Sequence, residues 1–146
     1  MLIERITEDM KLAMKAGDKA RVAAIRMLRA AIKDREIELG HALDDDEAEA
    51  VLARLLKQRK EAAAQYAEGG REDLAAAERA EAELIQSYLP EPLGEQELRA
   101  LIEAIVEEVG ASGLRDMGKV MGALKARAGA RVDMGRASAM VKAVLG

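Results

Sequence analysis

Two glycines inside a predicted helix, with cationic side chains beside them, are the residues best suited to chemistry with an anion. The segment DMGKVMGALKARAG carries Gly118 and Gly122, and Arg115, Lys119 and Lys125 lie close to them in sequence. Glycine in a helix interior costs about 1 kcal/mol relative to alanine, so a reason for the glycines is needed. Two interpretations stay open: another helix packs closely against them, or they leave bare backbone where a phosphate polymer binds between the cations.

The same region resembles part of a phosphate-binding P-loop. Residues 113–119 read GLRDMGK, which fits the pattern G-x-x-x-x-G-K. A P-loop needs a hydroxyl side chain directly after the lysine, to hold magnesium, and a strand before the loop. Val120 stands at the hydroxyl position, and the preceding segment ALIEAIVEEV has helical spacing. We therefore predict no nucleotide and no other cofactor here.

Other candidates for catalysis or metal binding have simpler interpretations. The acidic run DDDE (44–47) lacks calcium-loop spacing and stands at a predicted helix start, where negative charge is favoured. His41 is the only histidine, the chain has no cysteine, and the serines are far from His41 in sequence. The sequence predicts a capping role for the acidic run and a surface position for His41, with no catalytic residue and no metal site.

Charge is distributed unevenly along the chain. Residues 1–111 hold 16 Lys and Arg against 25 Asp and Glu, whereas residues 112–146 hold seven against two. Such an asymmetry indicates different partners for the two parts. Arg127, Arg131 and Arg136 belong to the basic part and join the cations near the glycines as candidate anion contacts.

Further cations lie in the acidic part. Arg26, Arg29 and Lys33 fall on one flank of the second predicted helix, and Arg54, Lys57, Arg59 and Lys60 lie on the third. Because acids are interleaved nearby, we expect these side chains to be solvated or paired in salt bridges.

The composition predicts a cytoplasmic protein with no membrane partner. The N-terminus lacks the apolar core of a signal peptide. No run approaches the roughly 20 apolar residues that span a bilayer. The absence of cysteine fits a reducing compartment.

Apolar residues recur at helical spacing almost throughout, and no segment alternates with period two. Asp18, Asp44 and Asp133 are predicted N-caps, and the predicted sixth helix, about 114–128, has Leu114 on its apolar face. The segment LPEPLG contains both prolines, which stop helices. We predict an all-α fold with a four-helix domain at 1–89, a proline linker at 90–94 and a three-helix bundle at 95–146.

Four segments in order carry a resemblance to the YqeY family: RMLRAAIKDREIE (26–38), LLKQRKEAAAQYAEGGREDL (55–74), EAELIQSYLPEPLGEQEL (81–98) and DMGKVMGALKARAGARVDMGRASAMV (116–141). That family is similar in turn to the tail of the B subunit of the glutamyl-tRNA/aspartyl-tRNA amidotransferase, a carbon–nitrogen ligase with glutamine as amido donor. In that enzyme the tail helps to hold the tRNA. The resemblance implies a helical bundle followed by a three-helix tail domain.

The tail motif is the part that carries over residue by residue. It implies RNA contact at Gly118, Lys119, Gly122 and Lys125, and core positions at Val120 and Met121. Nothing in the chain matches the kinase-like body of that subunit or its amidase partner. The resemblance therefore implies no ligase activity for this chain by itself.

Two functional hypotheses follow. The first is a non-catalytic protein that contacts tRNA or structured RNA through Arg115, Gly118, Lys119, Gly122, Lys125, Arg127, Arg131 and Arg136. The alternative is a protein–protein adaptor that docks on an amidotransferase or synthetase subunit without RNA contact. A third hypothesis, an amidotransferase-type enzyme in its own right, lacks a nucleophile and an ATP site.

Overall fold

A computed structural model describes residues 1–146 and contains helices but no strand, which confirms the all-α class. The chain separates into two compact units, Met1–Leu89 and Pro90–Gly146. The α-helices are α1 (Leu2–Ala16), α2 (Lys19–Leu39), α3 (Asp45–Glu68), α4 (Glu72–Gln86), α5 (Glu95–Val109), α6 (Met117–Ala128) and α7 (Met134–Leu145). Short 3₁₀ helices occupy Leu114–Asp116 and Gly129–Arg131.

The helix starts follow from local capping chemistry. Asp18, Asp44 and Asp133 each accept a hydrogen bond from a backbone N–H of the first turn, at 2.8–3.1 Å. Asp44 also forms a reciprocal capping box, since the Glu47 carboxylate accepts from the Asp44 N–H. Each cap satisfies N–H groups that have no partner within the helix. The three predicted N-caps are confirmed.

The first unit buries aliphatic side chains from all four of its helices. Ile6, Ile25, Leu28, Leu52 and Ile85 are completely buried. Burial of such a side chain contributes about 1.5–3 kcal/mol. An apolar core made from one stripe of each helix therefore holds this unit together.

The second unit has a separate core in which α5, α6 and α7 each pack against the other two. Ile102, Ile105, Val120, Leu124 and Val141 are completely buried there. Because Val120 and Leu124 anchor one side of α6, the opposite side of that helix faces solvent.

Leu114 departs from the prediction. It was expected on the apolar face of the sixth helix, but its side chain is 56% exposed. The α-helix begins only at Met117, after a 3₁₀ turn. A 3₁₀ helix has three residues per turn instead of 3.6, so the α-helical spacing used to place Leu114 does not extend back to it.

Candidate nucleic-acid interface

The outer side of α6 consists of small residues. Gly118, Gly122 and Ala126 are exposed and follow one another at four-residue intervals, which places them along one side of the helix. The buried residues Val120 and Leu124 lie on the other side. The packing of α6 into the unit's core thus fixes which way the glycines point.

Both glycines stand in open space. A Cβ built on Gly118 or on Gly122 would meet no other part of the chain within 4 Å. Close packing of α5 or α7 against the glycines is therefore excluded within the second unit, which removes that form of the packing interpretation left open by the sequence. The bare backbone is available to a different molecule.

Cations flank this open backbone. Lys119 and Lys125 lie three residues to either side of Gly122, which corresponds to about 60° around the helix in each direction. Arg115, in the preceding 3₁₀ turn, is exposed like both lysines. The salt bridges of this unit are Arg99–Glu103 and Arg127–Glu108, so the three cations are unpaired. We call Arg115, Gly118, Lys119, Gly122, Lys125 and Ala126 the α6 strip.

One acidic residue lies at the beginning of the strip and is held by the backbone. The Ser112 N–H donates to Asp116 Oδ2 at 2.9 Å. That hydrogen bond, together with the charges of Arg115 and Lys119, holds the pKa of Asp116 below its usual value. Asp116 is thus ionised at neutral pH and offsets part of the positive charge near Arg115.

Two predicted RNA contacts are engaged within the unit. Arg127 on α6 pairs with Glu108 on α5, which raises the pKa of Arg127 and lowers that of Glu108. Arg131 Nε donates to the Glu91 carbonyl oxygen at 2.9 Å. Both side chains are exposed, but each already has an acceptor. The geometry therefore separates Arg127 and Arg131 from the unpaired cations of the α6 strip.

Arg136, the remaining predicted contact, lies in the first turn of α7. It is exposed and has no salt bridge. It is a free cation of the same unit on a different helix. Six of the eight predicted site residues thus lie on α6 and the turn before it, and five of them, all except Arg127, belong to the α6 strip.

The other candidate motifs begin a helix, cap a helix or lie at the surface. Residues 113–119 comprise Gly113, the 3₁₀ turn and the first three residues of α6, and the element before them is the helix α5 and not a strand. Asp44 is the helix cap already described, which confirms the interpretation of the acidic run. His41 is exposed, as predicted, with Nε2 at 3.6 Å from the Glu47 carboxylate. No group of three or more His, Cys, Asp or Glu stands close enough to hold a metal ion.

Comparison with known families decides which group of proteins the chain is part of. A family model described as "Yqey-like protein" matches residues 3–145. The chain belongs to the YqeY family. The resemblance seen in the four sequence segments is thereby confirmed over almost the whole chain.

Curated relatives of this YqeY-family chain come from yeasts. The protein called "Altered inheritance of mitochondria protein 41, mitochondrial" in Saccharomyces cerevisiae (strain YJM789) is 31% identical over 70% of this chain and 59% of its own length. The Eremothecium gossypii protein of that name is 33% identical over 73% of this chain and 60% of its own length. The match thus spans about three-fifths of these relatives.

The yeast relatives carry the word mitochondrial in their names. The predicted cytoplasmic location is therefore not confirmed for this chain. Among its helices, none combines the length and the hydropathy that a bilayer crossing requires.

Proposed function

We propose that this YqeY-family protein contacts tRNA or another structured RNA through the α6 strip, without catalysing a reaction itself. The observation that carries the proposal is the open backbone at Gly118 and Gly122, with unpaired Lys119 and Lys125 on either side. Small residues let a phosphate backbone come close to the helix. The flanking cations then supply sequence-independent affinity.

The mode of binding follows from what the second unit contains. Both tyrosines of the chain, Tyr66 and Tyr88, lie outside this unit, and the chain has no phenylalanine or tryptophan. Base stacking on aromatic side chains is therefore not the mode of contact. Recognition of phosphates and of the shape of a folded RNA remains. Affinity should consequently fall steeply as salt rises.

The family likeness supports RNA as the ligand class. The matching motif in the amidotransferase B subunit belongs to the tail that helps to hold tRNA. An association with an amidotransferase or synthetase would bring this chain to the same ligand. The proposal does not extend to the ligase chemistry, which lies in parts of that enzyme that this chain does not resemble.

The test is the binding of purified protein to total tRNA at low and moderate salt. We compare the wild type with Lys119→Glu/Lys125→Glu, and use Arg54→Glu/Lys57→Glu on α3 as a control with the same change of net charge. Arg127 is left unchanged because its reversal would also break the pair with Glu108. Salt-sensitive binding that is lost in the α6 variant and kept in the control supports the proposal. No binding at low salt, or equal binding by all three proteins, rejects it.

One observation favours the adaptor as a second candidate function. Leu114 is 56% exposed and directly precedes Arg115 at the beginning of the α6 strip. An exposed leucine beside a strip of small residues suits a partner helix of an amidotransferase or synthetase subunit. Complex formation with such a subunit should then survive moderate salt and be lost in Leu114→Gln. A complex that dissociates with salt and tolerates Leu114→Gln would argue against the adaptor.

A further inference from the structure

A second basic region lies in the first unit, inside the part of the chain that is acidic overall. Residues 10–33 hold seven Lys and Arg and a single acid, Asp18. The Asp18 carboxylate accepts a hydrogen bond from the Arg21 N–H at 3.1 Å and so caps α2. The seven cations are Lys11, Lys15, Lys19, Arg21, Arg26, Arg29 and Lys33.

All seven side chains are exposed, and none forms a salt bridge. Of the two expectations for Arg26, Arg29 and Lys33, solvation is confirmed, and no salt bridge forms. The arginines that do pair in this unit are Arg35, Arg59, Arg71 and Arg79, all later in the chain. Positive charge in residues 10–33 is therefore not neutralised by partners within the chain.

The cations on α2 form a regular row. Lys19, Arg26 and Lys33 are seven residues apart, close to two helical turns, so they project from one side at intervals of about 10.5 Å. Exposed Ala23 and Ala30 lie between them on that side. We call these five residues the α2 row. Small residues between the cations leave room for a ligand backbone to approach the helix.

The opposite side of α2 is already used by the fold. Ile25, Leu28 and Ile32 are buried in the core of the first unit. A helix that binds a membrane surface places its apolar face among the lipid headgroups. Most of the apolar side of α2 is buried, and its exposed large apolar side chains, Ile37 and Leu39, lie near the C-terminal end, beyond the α2 row. The α2 row also lacks the large apolar anchors that dominate protein–protein interfaces. Its chemistry is that of regularly spaced cations alone.

We propose that the α2 row is a second RNA-binding surface, which contacts the phosphate backbone of a folded RNA. The inference rests on the proposed function for the class of ligand, while its evidence comes from different residues on the other unit. As with the α6 strip, each phosphate contact contributes affinity that falls with salt. The row and the strip can therefore be tested independently.

The experiment compares three variants for binding to total tRNA over a range of salt concentrations. Arg26→Glu/Lys33→Glu removes the α2 row, Lys119→Glu/Lys125→Glu removes the α6 strip, and Arg54→Glu/Lys57→Glu is the charge-matched control. We expect the α2 variant to lower the slope of log affinity against log salt by about two, one for each cation. Its affinity should fall by at least about tenfold, while the control stays close to the wild type. Circular dichroism checks that each variant is folded.

The outcomes separate the two proposals. Loss of binding in the α6 variant with an unchanged α2 variant overturns this inference and leaves the proposed function standing. Loss in the α2 variant alone supports the inference and rejects the α6 strip. If the control Arg54→Glu/Lys57→Glu loses as much tRNA affinity as the α2 variant, the effect is one of net charge, and the inference is overturned. Binding to phosphatidylserine vesicles that Arg26→Glu/Lys33→Glu abolishes, without any binding to tRNA, assigns the row to a membrane surface and also overturns it.

Discussion

At the scale of single residues, Gly122 is unusual because its helix would be more stable without it. It lies in the interior of α6 with helical backbone, and nothing stands within 4 Å of an added Cβ. Neither strain nor packing within the chain explains the choice of glycine. The proposed contact with RNA would explain it, at a cost in helix stability.

Replacement of Gly122 should therefore separate stability from binding. We expect Gly122→Ala to raise the free energy of unfolding of the second unit by up to about 1 kcal/mol. Gly122→Gln, which is also helix-favouring and carries no charge, should weaken tRNA binding because its side chain occupies the space beside the bare backbone. Ala104→Gln, at an exposed position of α5, is the matched control. Urea unfolding and a tRNA titration measure the two effects.

A lower unfolding free energy for Gly122→Ala would mean that another group packs at this position. Unchanged tRNA affinity in Gly122→Gln would mean that the open backbone is not part of the interface. Either result contradicts the role assigned to the glycine.

Tyr88 makes a polar contact that joins the two ends of the first unit's sequence, 79 residues apart. Its hydroxyl donates to Asp9 Oδ2 at 2.6 Å, and the Arg5 guanidinium lies 4.9 Å from the ring centroid. Arg5 also donates to the Ser87 carbonyl oxygen at 2.8 Å. These contacts fasten the residues after α4 to α1. Burial, followed by the hydrogen bond to Asp9, raises the pKa of Tyr88 to about 12.

The raised pKa of Tyr88 predicts a loss of stability in alkali. A group whose pKa is higher in the folded state contributes fully below its ordinary value of about 10, and its contribution is lost as the pH rises towards 12. We expect Tyr88→Phe to cost about 1–2 kcal/mol at pH 7 and to lack the additional loss above pH 10. Urea unfolding at several pH values in a Tyr66→Phe background makes this comparison. Parallel pH profiles of the two proteins would contradict it.

At the scale of helices, α3 and α4 are joined by a half-buried charge cluster. Arg59 on α3 lies 3.2 Å from the Glu78 carboxylate and 3.5 Å from that of Glu81, both on α4. The Arg59 Nε is buried without a hydrogen-bond partner. Removal of the arginine would leave two carboxylates close together and poorly hydrated. Their mutual repulsion would then act against the packing of the two helices.

Arg59→Ala should consequently destabilise the first unit more than loss of an exposed pair. We expect a cost of about 2 kcal/mol for Arg59→Ala. The exposed pair Arg79–Glu72 provides the comparison, and Arg79→Ala should cost clearly less than Arg59→Ala because solvent screens an exposed pair. Urea unfolding of both variants measures the difference. Equal costs would show that the cluster behaves like an ordinary surface pair.

Helix positions could be predicted from the sequence because their signals are local. The caps at Asp18, Asp44 and Asp133 act on N–H groups two or three residues away. The pairing of Arg127 with Glu108 joins residues 19 positions apart on different helices. Such a contact depends on how α5 and α6 pack, and charge counting cannot separate this engaged arginine from the free Lys125.

The openness of the glycines was equally beyond the sequence. Spacing placed Gly118 and Gly122 beside the apolar face of α6, where close packing and exposure were both compatible with the pattern. Only the packed positions of α5 and α7 leave the space around them empty. The six candidate cations were alike in the sequence, and the tertiary structure divides them into side chains that have an acceptor and side chains that are unpaired.

At the scale of the whole molecule, unpaired cations lie on several helices of a chain whose net charge is −4, including Arg54, Lys57 and Lys60 on α3. In two regions such cations alternate with exposed small residues. One region contains the α6 strip, and the other contains the α2 row. An acidic protein repels nucleic acid at long range, so local unpaired cations must supply the attraction. We therefore expect RNA binding that is confined to defined helix faces and is sensitive to salt.

The most direct measurement is a nuclear magnetic resonance titration of the ¹⁵N-labelled protein with tRNA. If the α6 strip contacts RNA, the backbone amide signals of Gly118, Lys119, Gly122 and Lys125 should shift or broaden at low salt and recover as salt rises. Amides on the acidic outer side of α5, such as Glu103, should change little. Signals of the α6 strip that remain unchanged while tRNA binds elsewhere, or a spectrum that tRNA does not alter, would contradict RNA contact at the α6 strip.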